Sequence, residues 1–137
     1  MTSLAAATTT PRSRLDFDDG ELASRFRALD EGARRRLACA MVRRALDELD
    51  VSLPPQAVGL LGTGGIATPA QLADLDRRAA GTGGTLGDEG LRRARVVAAA
   101  RYALSPQPRA AEEALHEAMH ARASFRGALD EARHYLH

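Results

Sequence analysis

DEGARRRLACAMVRRALDEL, residues 30–49, is the stretch that decides the fold class. Leu37, Met41, Ala45 and Leu49 recur at a spacing of four, with Ala38, Val42 and Leu46 beside them. That is the period of an α-helix with one broad apolar face. Asp30 stands immediately before the pattern, where a short acidic side chain accepts from the free N–H groups of a first helical turn. Five arginines, together with Glu31, Asp47 and Glu48, fall among the remaining positions, so a long amphipathic helix with a charged outer face is the reading.

The rest of the chain agrees. It has 137 residues, enough for a core, and 28 of them are alanine and 18 leucine, against five valines and one isoleucine. Alanine and leucine favour helices, while β-branched residues favour strands. The expectation is an all-α protein, a compact bundle of six or seven short helices. With five Phe and Tyr side chains and no Trp, the helices must approach closely over alanine.

The pattern divides as follows. Residues 1–15 are small, polar and proline-broken and read as a disordered N-terminal arm, leaving residues 16–137 as a single helical domain. Asp18 and Glu21 have capping-box spacing and open a helix carrying Leu22, Phe26 and Leu29. After residues 30–49, SLPPQ breaks the chain, and a short segment over residues 56–61 runs into GTGG. Thr68, Pro69 and Gln71 form a helix-start signal. That helix is expected to reach about Ala80, where a second GTGG stops it. The two glycine runs make residues 62–87 a Gly-rich mobile segment. Asp88 begins the next helix, Ser105-Pro106 restarts the chain into a further one ending near Ala121, and Ser124 caps a last one. Ser124 and Gly127 favour a bend near Ala123.

Charge is balanced. All nineteen basic residues are arginine, the net charge is +1, and the signs are interspersed. The arginine-only set reads as the mark of a GC-rich bacterial genome. The clusters Arg34-Arg35-Arg36, Arg43-Arg44, Arg77-Arg78 and Arg92-Arg93 fall between apolar helix positions and read as solvated faces. A nucleic-acid binder would show a basic excess, so that partner is not expected. No leader peptide and no membrane-spanning run is recognised, and a cytoplasmic location follows as the expectation. Cys39, the single cysteine, cannot form an intramolecular disulfide and belongs to the apolar side of the long helix.

One motif carries chemistry. HEAMH, residues 116–120, has the form HExxH: on a helix His116 and His120 share a face and offer two zinc ligands, and Glu117 is the catalytic base of a metallohydrolase. A third ligand is required. The positions that metzincins use hold Ala123 and Arg126, and the candidates further on are Glu131, His134 and His137. Without that third ligand the stretch reads as a solvated helix flank. Glu113 with His116, Glu117 with His120 and Glu131 with His134 also repeat the Glu-x-x-His unit of di-iron bundles.

Two further stretches carry partial motifs. VGLLGTGGIA, residues 58–67, resembles the opening of the glucose-fructose oxidoreductase family of Rossmann enzymes, with Gly62, Gly64 and Ala67 in the dinucleotide-binding positions. The resemblance covers ten residues and lacks the second strand with its acidic end. TPAQLADLDRRAAG, residues 68–81, is similar to the first helix of a helix-turn-helix, but the turn glycine comes a full turn late. The function expected is therefore binding: a small bacterial non-enzymatic protein-interaction module, with a protein partner or a second copy and no cofactor. The alternatives are a zinc hydrolase built on His116, Glu117 and His120, and an arginine-rich nucleic-acid-binding regulator.

Overall fold

The computed structural model describes residues 13–83 and 87–136. Among the described residues there are eight helices and no strand. In chain order they are α1 (Arg14–Asp18), α2 (Gly20–Ala28), α3 (Glu31–Leu49), α4 (Pro55–Thr63), α5 (Pro69–Gly83), α6 (Gly87–Ala103), α7 (Ala110–Ala121) and α8 (Phe125–Tyr135). The all-α expectation holds. The count is one higher than expected because α1, five residues long, falls partly within the stretch assigned to the arm. Residues 1–12 of that arm lie outside the described residues. Residues 13–15 are ordered: Ser13 caps α1 and Leu15 is fully buried.

The long helix forms as its sequence dictates. Asp30 accepts from the Ala33 N–H at 2.7 Å. Leu37, Ala38, Met41, Val42, Ala45, Leu46 and Leu49 are all buried. The helix ends at Asp50, whose left-handed backbone (φ 54°, ψ 48°) lets its N–H reach back to the carbonyls of Leu46 and Asp47. Arg35 departs from its solvated neighbours. Its guanidinium is buried and donates to the carbonyls of Ala103 and Ser105, both at 3.0 Å, so it satisfies the free carbonyl end of α6 from across the core.

The glycine runs do less than their composition suggests. Gly62 and Thr63 belong to α4, and Gly64, at φ +71°, is its C-cap. The second run continues α5 as far as Gly83. Between them Thr68 and Gln71 form the expected reciprocal cap, with Thr68 N–H donating to Gln71 Oε1 at 2.8 Å and Gln71 N–H to Thr68 Oγ1 at 3.2 Å. The Rossmann resemblance ends here. The residues before its glycines are helix, and the Ala67 N–H is already committed to the Leu104 carbonyl at 2.9 Å. Gly81 lies inside α5, so the tight turn of a helix-turn-helix is missing as well.

The helix at the centre is α7. It packs against α1, α3, α6 and α8, while α5 lies on α6 and α4 on α3. Ala114, Leu115, Ala118, Met119 and Ala121 on α7 are completely buried. The close approach rests on alanine: Ala38 and Ala45 of α3 and Ala99 and Ala100 of α6 are also completely buried. A helix surrounded on this many sides is ordinarily apolar all round. This one also buries Glu112, His116 and Glu117. No helix among the described residues is long and apolar enough to cross a membrane.

Candidate metal centre

The polar groups on α7 are covered by α1, and the cover is specific. α1 is too short to be stable alone. It is started by Ser13, whose N–H donates to Asp16 Oδ2 at 3.0 Å, and anchored by Leu15. It ends at Asp18. The next helix is capped by Asp19, not by Asp18 as the capping-box spacing suggested: Asp19 Oδ1 accepts from the Leu22 N–H at 2.8 Å. Asp19 also pairs with Arg133 of α8. With the cap supplied by its neighbour, the Asp18 carboxylate is free to face α7.

It faces both histidines of HEAMH. Asp18 Oδ2 lies 2.5 Å from His116 Nδ1, and Asp18 Oδ1 lies 2.7 Å from His120 Nε2. One carboxylate therefore bridges two imidazoles across about a hundred residues of chain. Only 7% of the Asp18 side chain is exposed, against 10% for His116 and 31% for His120. Burial on its own would raise the Asp18 pKa. The hydrogen bonds and charge of His116 and His120 outweigh that, and the carboxyl is held below its ordinary value. The two rings lie 4.4 Å apart, centroid to centroid, and Phe125 stacks on the outer ring at 4.5 Å and 28°. The imidazoles are thus fixed from three sides, by the helix, by Asp18 and by Phe125.

The donor atoms of Asp18, His116 and His120 lie within 4.8 Å of one another. Around a tetrahedral zinc, ligand atoms about 2.0–2.1 Å from the ion stand roughly 3.3 Å apart. Fitting an ion needs the two Asp–His contacts to open by somewhat under 1 Å. Two imidazoles and a carboxylate suit zinc and the other divalent first-row metals, better than calcium or magnesium, which take oxygen ligands.

Glu117, the expected base, is placed differently. Its Oε2 lies 2.6 Å from Arg14 Nη2 and its Oε1 lies 3.7 Å from Arg95 Nε. Arg14 also donates to Glu113 Oε1 through Nε at 2.8 Å and Nη2 at 2.6 Å. One turn earlier, Glu112 takes both Nε and Nη2 of Arg27, which also holds Asp16 at 2.8 Å. These contacts answer the other metal readings. Glu131 is held by Arg122 at 3.0 Å, His134 is exposed on α8, and His137 lies outside the described residues. The Glu-x-x-His carboxylates pair with arginines and do not converge as a di-iron site requires. The solvated-flank reading is also set aside, because His116 and Glu117 are each 8% exposed.

Asp18, the residue that completes the cluster, stands in the sequence context of a helix cap. The local signal available was the doublet Asp18-Asp19: one helix start needs one cap, so one acid of the pair is free. Cys39 is buried on α3, and burial pushes its thiol pKa up, which makes it an inert core side chain. The chain matches no protein-family model, no curated protein and no solved structure.

Proposed function

We propose that this chain is a small helical binding protein that takes up one divalent transition-metal ion, zinc in the first instance, on Asp18, His116 and His120. The observation that carries this is the single carboxylate reaching both histidines of HEAMH from a distant part of the chain. The sequence showed two ligands at the right helical spacing and lacked a third. Asp18 supplies a third candidate ligand that touches both histidines from α1.

The reading is of binding and not of hydrolysis, for a physical reason. A metallohydrolase base must be able to take a proton from metal-bound water. Glu117 instead has both oxygens turned to guanidinium groups, Arg14 and Arg95, which compete for the lone pairs a base would use.

An accessory or regulatory role in contact with another protein stays part of this proposal, as does a bacterial, cytoplasmic setting. The arginines do not favour a nucleic-acid role. Arg25, Arg77, Arg78, Arg93 and Arg101 each pair with a carboxylate close by.

The test is elemental mass spectrometry of untagged protein after incubation with zinc and removal of excess metal. One zinc per chain, lost in His116→Ala and in Asp18→Ala, is the expected result. No retained zinc, or full retention in both variants, contradicts the proposal.

A further inference from the structure

We infer that the metal acts as a fastener for α1, so that residues 14–18 form a strap whose attachment to α7 depends on the ion. This rests on the metal-site reading above and adds to it what the ion does.

The strap has little holding it through the backbone. Five helical residues make one turn, and nucleation of so short a helix is unfavourable in isolation. The junction to α2 is the extended Asp19 (φ −168°, ψ 109°), where the two helices meet without a continuous ladder. Attachment therefore falls to side chains, arranged in register along α7. Arg14 takes Glu113 and Glu117, Leu15 enters the core, Asp16 joins Arg27 and Glu112, and Asp18 takes His116 and His120.

The charged contacts are unequal. Arg14 is 45% exposed and Arg27 39%, so solvent and salt weaken their pairs. The Asp18 contact is the most enclosed, and its partners are metal ligands. An ion held there joins the last residue of the strap to two residues of the central helix through coordination bonds, which salt does not screen. Without the strap, Glu113 and Glu117 lose Arg14, while Glu112 keeps Arg27 of α2 and Glu117 keeps Arg95 of α6. The ion at the end of the strap decides how firmly Arg14 stays on Glu113 and Glu117.

Hydrogen–deuterium exchange read by mass spectrometry, on the full chain with and without one equivalent of zinc, tests this. Zinc binding is followed by calorimetry on the same samples. Bound zinc should slow exchange at least about tenfold in peptides covering residues 14–19, and should change core peptides from α3 and α6 little. In Arg14→Ala, which loosens the strap and leaves all three ligands in place, apo exchange over residues 14–19 should rise and zinc should bring it back down. Zinc that binds by calorimetry with unchanged exchange over residues 14–19, in both wild type and Arg14→Ala, overturns the strap while leaving the metal site intact. Absence of calorimetric binding instead removes the metal-site reading, and the strap with it.

Discussion

Replacing Asp18 by alanine removes the one acceptor shared by His116 and His120. The His116 ring is nearly enclosed, so a polar atom there loses its partner where water cannot easily replace it. The expected cost is about 1–3 kcal/mol, measurable by urea denaturation without metal. Zinc affinity should fall by at least about 100-fold, since a three-ligand site reduced to two loses both charge and chelation. Arg35 makes a second prediction at this scale. Arg35→Met preserves much of the stem and strips the Ala103 and Ser105 carbonyls of their donor. A loss of about 1–3 kcal/mol is expected by the same measurement, with no effect on zinc affinity, because Arg35 has no contact with the metal ligands.

Single turns and junctions decide how the elements meet. Gly64 ends α4 in the left-handed region, at φ +71°, where a Cβ would stand 3.5 Å from Arg36 Cγ in ordinary contact. Gly64→Ala therefore costs backbone strain and no clash, about 1–2 kcal/mol in a denaturation curve. The junction of α7 with α8 depends on charge. Glu48 of α3 accepts the Ala123 N–H at 2.8 Å and Arg122 Nε at 2.5 Å, and these bonds hold its carboxyl below the ordinary glutamate value. A carboxyl whose folded pKa is depressed contributes stability that is present above its unfolded pKa, about 4.3, and is lost as pH falls through the folded value. Glu48→Gln should therefore be less stable than wild type at pH 7, and the gap should close towards about pH 3. Urea titrations at pH 7, 5 and 3 check this; a gap that is constant with pH would show that Glu48 acts by shape and not by charge.

At the scale of the whole molecule, the helices were legible because their signals are local. The apolar period of residues 30–49, the Asp30 cap, the Thr68–Gln71 box and the Ser124 cap, which accepts the Gly127 N–H at 3.0 Å, each need only a few neighbouring residues. The second glycine run does not stop α5 at Ala80, because glycine lowers helix propensity without forbidding a helix. The site was half legible. His116 and His120 announce themselves through their spacing of four, but Asp18 stands 98 residues from His116 and its sequence context imitates a cap. The ion pairs of α1 with α7 are equally long-range: Arg14 and Glu113 are 99 residues apart. No periodicity records such a meeting. Only the burial of α7 on several sides, which demands a partner for every charge it carries, shows why Arg14, Arg27 and Asp18 must come to it.

The central claim is that Asp18, His116 and His120 together hold one ion. Zinc K-edge X-ray absorption of the chain loaded with one equivalent of zinc tests it most directly, because outer-shell scattering counts imidazoles and the first shell separates nitrogen and oxygen from sulfur. The account predicts a first shell of nitrogen and oxygen at about 2.0–2.1 Å with two imidazoles and no sulfur, and a changed first shell in Asp18→Ala. A spectrum with sulfur from Cys39, with fewer than two imidazoles, or unaltered by loss of Asp18 would contradict it.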